Sequence, residues 1–164
     1  MDVFNQDVRF MRMALRQARM AAAAGEVPIG AVIVKDGVVI AQAYNQTETL
    51  KDPTAHAEVL AITQAANALG DWRLEGTVLY VTKEPCPMCA GAIVNARVPM
   101  VHWGVSDPRR GGADSKFKIL RNDCLNHQAA FQAGLLEEEC RDVLVSFFQE
   151  RRKTGGDPSF AEPS

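Results

Sequence analysis

The chain has 164 residues, 47% hydrophobic and 23% charged, with a formal net charge of −2. Those proportions suit one globular domain with its own core, and no apolar run approaches the roughly 18 residues that a membrane span needs. Residues 1–7 hold no basic stretch leading into an apolar run, so the expectation is a protein that is neither secreted nor membrane-bound and works in the cytoplasm.

In chain order, Phe4, Val8, Met11, Leu15, Ala18 and Ala22 recur at steps of four and three, which predicts a first helix that Gly25 can stop. The β-branched runs 30–35 and 38–44 around Asp36-Gly37 predict an antiparallel hairpin with a type I′ turn. Asp52 as N-cap and Pro53 in the first turn predict a second helix over 54–69, ended by Gly70, with His56 and Glu58 in its first turns. Residues 77–81 read as a third strand, Pro87 opens a helix over 88–96, and 100–105 read as a fourth strand, parallel to the third through a right-handed crossover. A loop over 106–114 contains Gly111-Gly112. Leu136, Cys140, Val143, Leu144, Phe147 and Phe148 share one face of a last helix. The domain is expected to span 1–153, and 154–164, with two glycines and two prolines, reads as a disordered tail.

Chemistry concentrates at two places. Cys86 and Cys89 lie three residues apart across a helix start, where unpaired N–H groups and the helix dipole favour thiolate, the form that binds zinc. In a chain of the cytosol this spacing favours metal or redox chemistry over a structural disulfide. His56, at the start of another helix, meets the two sulfurs if the helices pack side by side with their N-termini together. A structural zinc is normally closed by four protein ligands and a catalytic one keeps a position for water, so the set His56, Cys86 and Cys89 points to catalysis. Glu58, two residues on, can reach that water as general base without being a ligand.

His-Ala-Glu at 56–58 paired with Pro-Cys-Pro-Met-Cys at 85–89 is the zinc deaminase signature. With Gly25 to Val32, Asp52 to Glu58, Glu84 to Ile93, Leu125-Asn126-His127 and Phe147-Phe148 before Arg151-Arg152, the chain resembles the bacterial tRNA-specific adenosine deaminases over residues 4–153. The resemblance implies a three-layer α/β/α, cytidine-deaminase-like fold with a mixed sheet of about five strands. It implies hydrolysis of the wobble adenosine of a tRNA anticodon to inosine, by a homodimer with one Zn2+ per subunit, Glu58 carrying the protons. By the same resemblance Asn45 hydrogen-bonds the base, Val27, Pro28, Ile29 and Ala57 wall its pocket, Asp107 lies near the ribose 2′-hydroxyl, and Phe148 offers a ring for stacking. Arg109, Arg110, Arg151 and Arg152 are candidates for the RNA backbone. The first helix is left free to pack against a partner subunit.

Two positions depart from the family pattern. Lys83 stands where an apolar residue is usual, and Asp114 puts a negative charge in a loop expected to approach phosphates.

Other readings of the same residues are a redox dithiol at Cys86 and Cys89, or a structural zinc closed by His102, Cys124, His127 or Cys140. On the last helix Cys140 reads as core, and Phe147-Phe148 as core plus one exposed ring. Asn45 and Asp107 also suit turns. Glu26 and Glu84 read as structural. A deaminase of a free base such as guanine or cytosine would share the signature, as would a non-catalytic zinc-stapled protein. The net charge does not mark a nucleic-acid binder, but Arg97, Arg109, Arg110, Lys116, Lys118 and Arg121, with Arg151, Arg152 and Lys153, form two local basic groups.

Overall fold

The computed structural model describes residues 2–155; of the tail expected over 154–164, the part from 156 onward lies outside the described residues. The elements are α1 (Val3–Ala23), β1 (Gly30–Lys35), β2 (Val38–Tyr44), α2 (Thr47–Leu50), α3 (Ala57–Leu69), β3 (Thr77–Lys83), α4 (Pro87–Asn95), β4 (Met100–Val105), a 3-10 turn (Ile119–Arg121), β5 (Ala130–Ala133) and α5 (Glu137–Lys153). The strands form one sheet of five, in the order β2-β1-β3-β4-β5. β1 runs antiparallel to both β2 and β3, while β3, β4 and β5 are mutually parallel neighbours. The mixed sheet is the expected one, and the helices lie on both of its faces.

Period-two alternation along the strands explains the layering. Ala31, Ile33, Leu79, Val81, Val101 and Trp103 face Ala57, Ala61 and Ala65 of α3 and Ala90, Ile93 and Val94 of α4. The intervening residues Val32, Val34 and Tyr80 face Phe10, Met11, Ala14 and Leu15 of α1, with Cys140 of α5 beside them. Each Leu, Ile or Val side chain so buried is worth roughly 1.5–3 kcal/mol. Alanines at every fourth position of α3 let that helix lie close on the sheet. On the opposite face, Gly30 does the same for α1, since a Cβ there would fall inside the Ala14 carbonyl oxygen. The apolar stripe of α1 is thus spent inside the chain, with Phe10, Met11, Ala14, Leu15, Ala18 and Ala21 buried.

The hairpin turn has Asp36 at φ 50° and Gly37 at φ 74°, the pair of positive values a type I′ turn demands. The second long helix begins later than predicted. Asp52 Oδ1 accepts from the Thr54 N–H at 2.8 Å and from its hydroxyl at 2.7 Å, so Asp52 caps a local turn, and the helix starts at Ala57 with His56 in the cap position. Two short elements, α2 and β5, carry too few residues for a periodic signal.

Glu26 builds the frame for α2. Its carboxylate is 1% exposed and accepts from the N–H of Glu48 at 3.0 Å, and from the N–H and hydroxyl of Thr49 at 2.7 and 2.6 Å. Burial pushes its pKa up, but the hydrogen bonds from Thr49, Glu48 and Thr47 outweigh this and hold it below the ordinary value. A depressed folded pKa contributes stability that is present above the unfolded carboxyl value of about 4.3 and is lost as pH falls through the folded one. Glu26→Gln is therefore expected to cost about 2 kcal/mol at pH 7, with the gap to the parent protein closing below about pH 4. Urea unfolding of both proteins across that range checks it, and a gap independent of pH would show that ionisation is not what matters.

Among the described residues no helix is long and apolar enough to cross a membrane.

Candidate active site

The N-termini of α3 and α4 bring the chemistry-bearing residues together. His56 and Cys86 are the N-caps of these helices, both extended (φ −76°, ψ 151° and φ −69°, ψ 172°), and neither side chain caps its own helix. An N-cap side chain ordinarily accepts a backbone N–H of the first turn. Here Asn45, at the end of β2, takes over part of that role, since its Oδ1 accepts from the Ala57 N–H at 2.8 Å. Relieved of it, the imidazole of His56 turns toward the sulfurs. Its Nδ1 lies 3.6 Å from Cys86 Sγ and 3.5 Å from Cys89 Sγ. The candidate ligand atoms of His56, Cys86 and Cys89 all lie within 4.8 Å of one another, and among the described residues no fourth His, Cys, Asp or Glu joins them.

The fourth ligands of a closed structural site are placed elsewhere. His102 stacks on Tyr80 at 5.0 Å on the α1 face of the sheet, and Cys140 is buried there too. Cys124 is exposed, and His127 Nε2 lies 2.8 Å from the Val98 carbonyl oxygen.

Protons are distributed unevenly over the three side chains. The Cys86 thiol is pulled down to about 4, first by the hydrogen bond from Cys89, against burial, with His56 and the Cys89 N–H helping. Cys89 is pushed up by sharing that bond with Cys86 and by burial. His56 is raised by its hydrogen bond to Cys86, against burial. One thiolate, a second sulfur in reach and an imidazole nitrogen form a soft N,S,S set that suits a tetrahedral metal with one position left over.

Glu58, in the first turn of α3, is 3% exposed, and its Oε1 has no hydrogen-bond partner. Burial raises its pKa above the ordinary value; its own N–H and His56 act in the opposite direction. A buried carboxyl oxygen without a partner costs free energy, so its persistence points to a use outside the fold. The segment 25–30 lies beside Asn45. Pro28 is buried, while Val27 and Ile29 are half-buried, and the Ile29 carbonyl accepts from the Asn45 N–H at 3.1 Å. Asn45 and Ala57 are buried as well.

Glu84, which in the sequence reads as merely structural, supports the site. Its carboxylate accepts from the N–H of Asp107 at 3.0 Å, Asp114 at 3.0 Å and Ser115 at 2.9 Å, and from the Ser115 hydroxyl. It thereby fastens the 106–115 loop to the strand that leads into Cys86. A Cβ on Gly112 would collide with the backbone of Cys86 and Pro87, so this loop lies directly against the start of α4. The available signal was an acidic residue at the end of an apolar strand, one position before a proline.

Asp107 Oδ1 accepts from the N–H groups of Arg109 and Arg110 at 3.1 and 3.0 Å, a turn-building role, and both arginines are exposed. The two departures from pattern are each paired: Lys83 Nζ lies 3.2 Å from Asp107 Oδ2, and Arg121 lies 2.7 Å from Asp114 Oδ1. Phe147 and Phe148 are 9% and 8% exposed and meet edge to face at 5.4 Å, which corrects the expectation that one ring is exposed. Arg151 donates to the Gly25 carbonyl and lies over the Phe147 ring at 4.9 Å, tying α5 to the turn that follows α1. Arg152 is exposed on the last turn of α5.

Comparison with known proteins agrees with this geometry. The model of the MafB19-like deaminase family matches residues 5–152. The chain is 51% identical over 148 residues to the tRNA-specific adenosine deaminase of Bacillus subtilis (strain 168), covering 90% of this chain and 92% of that protein. It is 47% identical over 143 residues to the protein of the same name from Aquifex aeolicus (strain VF5), covering 87% and 94%. A solved structure from a study of A-to-I editing by tRNA:A34 deaminases at the wobble position of transfer RNA superposes with a TM-score of 0.80 and 46% identity, covering 83% of this chain and 99% of that one.

Proposed function

The chain belongs to the MafB19-like deaminase family, with tRNA-specific adenosine deaminases among its relatives, and from that premise we propose that it hydrolyses the wobble adenosine of a tRNA anticodon to inosine, releasing ammonia. The observation that carries the reading is the convergence of His56, Cys86 and Cys89 within 4.8 Å beside a buried Glu58 whose Oε1 has no partner.

His56, Cys86 and Cys89 would hold one Zn2+ per subunit, and zinc bound there would supply the Lewis acidity that makes water a nucleophile near neutral pH. Glu58 takes the proton from the attacking water and delivers protons to the ring nitrogen and the departing amine. Its raised pKa suits a group that must hold a proton and give it up within one turnover. Asn45, through Nδ2, orients the base against the wall of Val27, Pro28, Ile29 and Ala57. In an anticodon loop the adenosine is unpaired, which lowers the cost of drawing it out of its stack. Asp107 serves the flanking ribose, and Arg109, Arg110, Arg151 and Arg152 the backbone. The enzyme acts as a homodimer in the cytoplasm, where its thiolate ligands stay reduced.

An anticodon stem-loop RNA with adenosine at the wobble position is expected to yield inosine and ammonia in equal amounts, while free guanine, cytosine and adenosine stay unchanged. Ammonia from a free base alone would transfer the same site to a free-base deaminase.

A further inference from the structure

Lys83 ends β3, three residues before Cys86. Its side chain is 20% exposed and that of Asp107 11%, with Nζ 3.2 Å from Oδ2. Because Oδ1 already accepts from the Arg109 and Arg110 N–H groups, both oxygens of Asp107 are engaged within the chain. Any ribose hydroxyl that reaches this carboxylate must share it with Lys83.

The pair lines a cleft of ≈ 290 Å³ between residues 105–109 and α5, together with Ser106, Arg141 and Phe148. Three cations, Lys83, Arg109 and Arg141, border it against the one carboxylate of Asp107, although Arg141 is held 2.7 Å from Glu137. Three basic side chains thus meet one carboxylate along a cleft of a chain of net charge −2, and further along the same loop Gly112 packs on the backbone of Cys86 and Pro87. An apolar residue at position 83 would leave a half-buried carboxylate facing a polyanion. Lysine suits the place better than a planar guanidinium would: a compact ammonium with three rotatable donors can keep Oδ2 and still reach a phosphate oxygen.

We infer that Lys83 is a substrate-positioning residue: it steadies Asp107 and presents one positive charge to the RNA phosphate that flanks the deaminated nucleoside. The inference rests on the RNA reading above. Its test uses the full-length, zinc-loaded protein and the anticodon stem-loop, with binding measured over a range of salt and steady-state kinetics at one salt. Lys83→Met is expected to reduce the slope of log K against log salt by about 0.7–0.9, the release of one counterion, and to raise KM roughly three- to tenfold with kcat little changed. Lys83→Arg restores the slope. The neutral pair Lys83→Met with Asp107→Asn, which leaves no lone carboxylate, shows the same loss of slope. Unchanged slopes in both Lys83→Met and the neutral pair would overturn the inference, as would a fall in kcat alone, the mark of a residue that only supports the loop. A parent protein that deaminates no RNA would instead remove the RNA reading itself, and this inference with it.

Discussion

Glu58→Ala is expected to keep its metal and lose turnover by a factor of about 10²–10⁴, the range for removal of a positioned proton carrier. The separation of the two effects follows from geometry. Glu58 is not among the side chains that converge on the N,S,S set, so the ligands survive the substitution. The catalytic loss appears in kcat, because the groups that would hold the base, Asn45 and the 27–29 wall, are untouched. Stability should not fall. The parent buries a carboxyl at 3% exposure with one oxygen unpartnered, a cost of about 1–3 kcal/mol in similar settings. Glu58→Gln, which keeps the shape and removes the charge, should therefore match or exceed the parent in thermal unfolding while remaining as inactive as the alanine variant. Metal content by elemental analysis, kcat on the stem-loop and the unfolding midpoint decide together. A variant with activity within tenfold of the parent would end the proton-carrier role, and one that loses its metal would make Glu58 part of the binding set.

The grouping of His56, Cys86 and Cys89 was legible in the sequence because its signal is local: His-Ala-Glu and Cys-Pro-Met-Cys each put their groups on one helix start. What the sequence withheld depends on partners far along the chain. The start of α3 was misplaced because Asp52-Pro53 reads as a cap and first turn, whereas the Asp52 carboxylate binds Thr54 and a side chain from another strand, Asn45, serves the helix. Nothing in residues 52–58 reveals that substitution of roles. Glu84 and its loop donors are 23–31 residues apart, and Lys83 and Asp107 are joined only because β3 and β4 are parallel neighbours. β5 was not located as a strand because four residues with one half-buried ring offer no alternation to read. In Phe147-Phe148 helical periodicity could place both rings near the core but could not say that both would be covered, since adjacent residues on a helix point about 100° apart.

Cys89→Ala is expected to abolish stoichiometric zinc binding and, with it, the metal's contribution to folding. The thiol is fully buried and the described residues bring no fourth ligand to replace it, so two ligands remain. The affinity loss should exceed the roughly 10–100-fold that removing a mere outer partner of a metal ligand costs. Since a metal bound only to the folded state adds its binding free energy to stability, the parent's unfolding midpoint should drop on treatment with a chelator, while that of Cys89→Ala should not move. The proton balance sharpens the assignment. Cys86, pulled down to about 4 chiefly by the hydrogen bond from Cys89, is the sulfur that favours the thiolate. Cys89 and His56 have raised values, so metal must displace a proton from Cys89 and, near and below the raised His56 value, a second from the imidazole. Zinc affinity therefore rises with pH across neutrality and falls steeply as pH drops through the His56 value, which lies above 6.5. Titration calorimetry in buffers of different ionisation enthalpy counts these protons. Release of one to about two protons whose number grows as pH falls, together with a Cys89→Ala protein that takes up no zinc, is the outcome the geometry requires; full occupancy in Cys89→Ala would mean that the metal is held elsewhere, and the catalytic reading of Glu58 would lose its basis.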